Sequence, residues 1–439
     1  MTQLKRDLTL FDLTMIAIGS TIGSGIFLTP SSIAHALGAP VLILLVWVVG
    51  GMMAMSGALT FAELGSMMPR AGGVYVFLSE AYGGLTGFLY GWAYFWVANT
   101  GSMAALAIGF ATYFGHFVPM GPTGISVFAI GGIILVTAIN VLGVKAGGIF
   151  SDVFTILKLA GIIGLIIAGL GWGSSHVTNF AAPITLPPGQ LASAFAVAMV
   201  GVLWSIGGWQ HASFAAAEAK NPQRSVPLSM ILGAGAITVI YLLTNLAYLF
   251  LLTPEQIGAS PHLATDAIGV VLGPIGAGVI AIAIFISMFG TAGIYTLTAP
   301  RIYFAMANDG VFFKKVAEIH PRYRTPAFAI ILQSAWAIVL ILFWGTFENL
   351  ISYVVFVDWI FYGMAGASVF IFRRRMPDAE RPYRTLGYPY TSLFFVIVAA
   401  WFVVNTMIEK PAQAWAGLGF LALGVPVFYY WKKRTGVRP

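Results

Sequence analysis

The stretch Gly19-Ser20-Thr21-Ile22-Gly23-Ser24-Gly25-Ile26-Phe27 sits in the middle of an apolar segment, residues 11–36, that is long enough to cross a bilayer. Three glycines and three hydroxyl residues are poor material for a continuous helix. A second stretch, Trp204-Ser205-Ile206-Gly207-Gly208-Trp209-Gln210, interrupts the sixth apolar segment in the same way. Inside a membrane, backbone that leaves the helix persists only where protein or a water-filled cavity satisfies its polar groups. Two interrupted helices at matching places in two halves of a chain point to a small-ligand site at the membrane midplane.

The rest of the chain suits that environment. Of 439 residues, 59% are hydrophobic and 8% charged, against about 25% charged in a typical soluble domain. The chain is therefore a polytopic membrane protein. It has no cysteine, which excludes disulfides, a disulfide-linked partner subunit and thiolate chemistry. The opening MTQLKRDLTLF runs straight into the first apolar segment without a small-residue cleavage site, and reads as a retained first helix rather than a signal peptide.

Apolar windows of about 20 residues give twelve spans, near 11–36, 41–66, 84–114, 123–144, 149–171, 192–218, 228–252, 274–305, 326–345, 349–373, 388–407 and 413–431. Basic residues orient them. Lys5, Arg6, Arg70, Lys145, Lys220, Arg224, Arg301, Lys314, Lys315, Arg322, Arg324, Arg373, Arg374, Arg375, Arg381, Arg384, Lys432, Lys433, Arg434 and Arg438 all fall on one side of this arrangement. The opposite loops hold only Lys410, and Lys158 lies within span 5. Both termini are expected in the cytoplasm of a cell-membrane protein, and the +7 net charge reflects topology rather than nucleic-acid binding. Five spans followed by five, each set opening on a broken helix, suggest an inverted repeat, because an odd span count flips the second copy. The expected organisation is one transmembrane domain over 1–439: a first repeat at 10–171, a second at 192–373, and two additional helices at 388–431. The outer loop near 172–191, with Pro183, Pro187 and Pro188, reads as a short surface loop.

Unwinding a helix frees N–H groups on one side of the break and carbonyls on the other. The N-terminus of a half-helix attracts a carboxylate, and the C-terminus of its partner attracts an ammonium. Such a site suits a zwitterion, an α-amino acid. Ser24 Oγ with the N–H groups of Gly23, Ser24 and Gly25 would be the donors. Carbonyls near Ile18 to Thr21, joined by Trp204 and Gly207, would be the acceptors. The competing reading is tight helix packing, since Gly19-x-x-x-Gly23 also fits a GxxxG motif; the mirrored break in span 6 favours binding.

Gly23-Ser24-Gly25-Ile26-Phe27 followed by Pro30 resembles the span 1 signature of the amino acid–polyamine–organocation (APC) superfamily. Glu63-Leu64 with Pro69-Arg70-Ala71-Gly72-Gly73-Val74-Tyr75 resembles its loop after span 2, and Lys220-Asn221-Pro222-Gln223-Arg224-Ser225-Val226-Pro227 its loop after span 6. Pro300-Arg301 with Phe304-Ala305-Met306-Ala307, then Pro321 and Thr325-Pro326, resembles its span 8–9 connection. Gly207-Gly208-Trp209 and Lys158 resemble most the L-type amino-acid transporters and their bacterial relatives. The resemblance implies an all-α, LeuT-like five-plus-five inverted repeat with two broken helices and two extra C-terminal helices, working by alternating access without a cofactor. It implies that Ser24 and Gly25 hold the substrate carboxylate, that carbonyls around Thr21, Trp204 and Gly207 hold the amino group, and that Trp204 closes over the substrate. Gln210 stands where relatives often carry Asn or Glu. The candidate substrate-binding set is thus Thr21, Ile22, Gly23, Ser24, Gly25, Trp204, Ser205, Gly207 and Gln210.

Lys158 lies about ten residues into span 5, roughly 15 Å deep at 1.5 Å per residue. A charge there is costly and marks function by default. Its own helix offers no counterion, so its partner must come from another span: carbonyls of the span 1 break, or the hydroxyls of Ser287 or Thr291. The resemblance puts it where sodium-coupled members of the wider fold bind sodium, which would make it a built-in cation. Alternatively it exchanges a proton in each cycle. A structural lysine snorkelling to an interface is the bland reading, and mid-span depth opposes it.

Asp358 in span 10 is either a proton carrier or an acid paired with a helix neighbour or lining a vestibule. Glu63 reads as a structural partner for a loop arginine, and Asn99 and Thr100 as helix bridges or pocket lining. His116 and His176 fall in loops without a cluster, so no metal site is expected, and no phosphate-binding glycine motif indicates ATP use. Neither break contains an acid or a base, while Trp204, Trp209, Ile206 and Phe27 supply bulk; a neutral amino acid is the expected substrate. An ion channel would need a repeated filter, and an intramembrane enzyme a catalytic constellation; the sequence offers neither. The expected activity is sodium-independent exchange of neutral L-amino acids, with proton symport as the alternative.

Overall fold

The computed structural model describes residues 4–115, 117–172, 180, 184, 187–344, 347–409 and 411–435. His116, His176, Pro183, Lys410 and Arg438 lie outside them. The described residues form an all-helical bundle without a strand; the sole extended pairing among them is an isolated bridge between Leu8 and Ala219. Among them, eleven helices are long and apolar enough to cross a membrane, and the shorter Ala327–Phe343 is also apolar.

Span 1 is two helices, Leu10–Thr21 and Gly25–Leu37. Thr9 caps the first in a reciprocal box with Asp12, so the entering chain has its first N–H groups satisfied. Gly38 ends the second in the left-handed conformation (φ 65°). Span 2 is Pro40–Met67, and span 3 is Gly84–Ala93, a π turn over Tyr94–Ala98, and Asn99–Phe114. Spans 4 and 5 are Pro122–Val141 and Val144–Trp172. Span 6 runs as Pro188–Ile206, turns through Gly207–Gln210, and continues as His211–Phe214 and a 3₁₀ turn Ala216–Glu218. Spans 7, 9, 10, 11 and 12 are Pro222–Leu251, Ala327–Trp344, Phe347–Arg375, Tyr390–Glu409 and Pro411–Thr435. Proline at the first turn of many of these helices fits because that N–H has no helical partner.

Span 8 differs from its sequence reading. It runs from Leu263 to Thr298, but Gly273 is left-handed (φ 62°) and Pro274 starts a new axis. The apolar window covers only the part after this kink. Two short helices outside the apolar windows, Val74–Tyr82 and Pro254–Ala259, complete the connections after spans 2 and 7.

Two buried acids near helix ends are matched by arginines. Glu63, wholly buried, accepts from Arg373 (2.9 and 2.7 Å) and from the Thr385 amide (2.8 Å), and faces Arg381 at 3.2 Å in the loop after span 10, the kind of partner expected of it. Glu218 and Arg301 are both fully buried and pair at 2.7 and 2.9 Å, tying the end of span 6 to the start of Pro300–Asn308.

Candidate substrate site between spans 1 and 6

The helix Leu10–Thr21 stops because Gly23 and Gly25 bracket Ser24, and the backbone beyond it is held by neighbouring spans. Two tyrosines of span 7, seven residues apart and so on one face, reach carbonyls of span 1: Tyr241 donates to Thr21 O (3.0 Å) and Tyr248 to Ile26 O (3.4 Å). Ile26 is four residues before Pro30, so its carbonyl is the one that proline leaves without a helical donor. Neither tyrosine was identified from sequence; a tyrosine pair at helical spacing facing a proline-containing helix is the signal that could have found them.

Lys158 is fully buried and donates to Gly19 O (2.9 Å), Ile22 O (2.7 Å) and Thr291 Oγ1 (2.6 Å). Thr291 Oγ1 lies 2.9 Å from both carbonyls, and Ser287 one turn earlier donates to Ile22 O at 3.1 Å. The expected partners of Lys158 are thus the span 1 carbonyls and Thr291, with Ser287 sharing a carbonyl rather than touching the amine. The carbonyls of Gly19, Thr21 and Ile22 already accept from protein donors. The N–H groups that open the next half-helix, from Ser24 onward, are those a helix start leaves free.

The two breaks meet. Ser20 Oγ donates to Gly208 O at 2.8 Å, and a Cβ on Gly208, whose φ is 134°, would lie 2.7 Å from the Ser20 carbonyl carbon. A Cβ on Gly25 would lie 2.6 Å from Ser205 Cα. At Gly208 and Gly25 glycine is required by close backbone approach. Trp204 Nε1 donates to Ser24 Oγ at 3.2 Å, bridging the breaks. Gln210 turns inward: its Oε1 accepts from Gly208 N (2.9 Å) and its Nε2 donates to Tyr362 OH (2.6 Å).

Against the span 6 break lies a cavity of about 30 Å³, lined by Trp204, Gly207, Gly208 and Gln210 together with Ser102, Asp358 and others. That is room for a water or two, so an amino acid enters only when the walls part. Of the candidate residues, Trp204, Gly207, Gln210 and Asp358 line it; Thr21 to Gly25 and Ser205 sit outside its lining, Ser24 and Gly25 against Trp204 and Ser205 of the other break. Thr100 does not line it; its hydroxyl donates to Phe95 O across the π turn (2.7 Å), and Asn99 bridges to Gln333 (3.1 Å). His211 was not singled out from sequence. It is buried at the cavity wall, its ring nitrogens 3.0 Å from Tyr94 OH and 2.6 Å from Thr298 Oγ1. Its position directly after the break, at Gln210-His211, was the available signal. Among the described residues no cluster of three His, Asp or Glu could hold a metal.

A family model described as amino acid permease matches residues 8–428. The chain belongs to the amino acid permease family, within the APC superfamily. It is 32% identical over 437 residues to the serine/threonine exchanger SteT of Bacillus subtilis, covering 98% of each chain. It is 30% identical over 436 residues to the human b(0,+)-type amino acid transporter 1 (98% of this chain, 88% of that one). It is 29% identical over 455 residues to the human large neutral amino acids transporter small subunit 2 (98% and 82%). This permease is therefore a multi-pass membrane amino-acid transporter, not an enzyme, and its relatives include exchangers.

Proposed function

We propose that this permease is a sodium-independent exchanger of neutral L-amino acids working by alternating access. The observation that carries this reading is Lys158 donating to Gly19 O and Ile22 O, where it fills the turn left by the span 1 break with a covalently attached cation. A mobile metal ion has no role to play beside it. The substrate carboxylate rests on the Ser24 hydroxyl and the amides of Ser24 and Gly25; the Gly23 amide, an expected donor, already donates to Thr21 O at 2.9 Å. Its amino group rests on the second lone pairs of carbonyls near Thr21 and on those of Trp204 and Gly207, with Ile22, Ser205 and Gln210 shaping the surroundings. Residues 10–171 and 192–373 form the two inverted repeats, 388–431 the added pair, and both termini face the cytoplasm. The absence of a charged side chain in either break supports neutral substrates.

Proton-coupled symport is the second reading, favoured by a specific observation: Asp358 lines the cavity itself. Uptake of radiolabelled alanine into proteoliposomes separates the two. Uptake that requires internal amino acid, in the absence of sodium, supports exchange. Uptake into empty vesicles that follows an inward proton gradient supports symport and overturns exchange.

A further inference from the structure

We propose that Asp358 is a side-chain subsite of this transporter and takes a cationic group, so that the substrate range extends to amino acids carrying a side-chain ammonium or guanidinium. This rests on the amino-acid transport reading above. Among the described residues, Glu63 and Glu218 are wholly buried and each is matched by arginine at hydrogen-bond distance. Asp358 is different. It is half-buried and lines the cavity, and the five ion pairs among the described residues do not include it.

The groups around it bring no settled positive charge. Tyr362, one turn along the same helix, lines the same cavity and accepts from Gln210 Nε2. Both ring nitrogens of His211 face hydroxyls. A carboxylate in such a space lacks a counter-charge, and a cationic group entering beside it gains a charge-assisted hydrogen bond in a medium of low dielectric. The geometry permits that entry. Trp204, Gly207, Gly208 and Gln210 of the span 6 break line the same cavity, so a substrate whose α-groups rest on the breaks directs its side chain toward span 10. The absence of acids in the breaks therefore does not exclude a cationic side chain, because the acid comes from a third helix.

Lysine and norleucine share a carbon skeleton up to the ε-ammonium, which makes them the probes. The full-length protein in alanine-loaded proteoliposomes is assayed for alanine exchange with each as competitor, and in detergent for thermal stabilisation by each. Lysine is expected to compete at least as well as norleucine in the wild type. In Asp358→Asn the lysine-to-norleucine potency ratio is expected to fall by about tenfold or more, the scale of one charge-assisted hydrogen bond, and Asp358→Glu to restore part of it. Norleucine competing while lysine does not, or an unchanged ratio in Asp358→Asn, overturns the proposal. If Asp358→Asn does not fold, the wild-type comparison decides alone. Neither exchange nor stabilisation with any amino acid would overturn the transport reading and this one with it; neutral exchange that excludes lysine overturns this one only.

Discussion

Lys158 Nζ lies 2.7 Å from the carbonyl of Ile22, the first residue past the opening half-helix of span 1. The contact joins residues 136 positions apart and places the amine where the helix ends in carbonyls that have no helical donor. The same amine reaches Gly19 O and Thr291, so spans 1, 5 and 8 share one polar node in the interior.

Lys158→Ala is expected to cripple transport more than binding. It removes a donor to two carbonyls and a hydroxyl, each such hydrogen bond being worth about 1 kcal/mol net. Exchange in proteoliposomes should fall by about tenfold or more, while ligand-induced thermal stabilisation persists. Unchanged exchange would return Lys158 to a purely structural role. Replacing sodium by choline should leave wild-type exchange as it was.

Ser24→Leu should abolish amino-acid binding without unfolding the protein. Ser24 is buried and its hydroxyl accepts from Trp204 Nε1. A leucine there keeps the fold's apolar character but fills the start of the half-helix. Retained wild-type affinity in a monodisperse sample would sink the carboxylate model.

Gly208→Ala is expected to destabilise by about 1–3 kcal/mol, since φ 134° is strained for any L side chain. The new Cβ also meets Ser20 backbone at 2.7 Å, so the breaks must part and the Ser20–Gly208 bond lengthen. The checks are a thermal melt and the exchange rate; a wild-type value of both would show that the breaks are not in contact.

Arg301→Met strands Glu218 as a buried charge and should cost about 3–5 kcal/mol. The double variant Arg301→Met with Glu218→Gln should recover much of that loss. A double variant no more stable than the single one would mean that the pair's packing, rather than its charge, matters to the fold.

The spans were legible in the chain as apolar runs, apart from the first part of span 8, and the stops at Thr21 and Ile206 as glycines that weaken helix locally. The need of Lys158 for a partner in another span was legible in its depth and in the lack of a counterion on its own helix. Which donors cap which carbonyls was not. Tyr241 on Thr21 O, Tyr248 on Ile26 O, and the cavity shared by Asp358, Gln210 and Trp204 join residues more than a hundred positions apart in most cases. Hydropathy is a property of a window of sequence, and a glycine weakens the helix wherever it stands. The direction of a hydroxyl or a carboxylate is fixed only when helices pack, because an unmet polar group in the interior costs more than any local preference can offset. So the apolar spans and the two breaks belonged to the sequence by itself. The sequence also named the span 1 carbonyls among the candidate partners of Lys158; the tertiary structure alone decided which of them it reaches, and that Asp358 faces the second break.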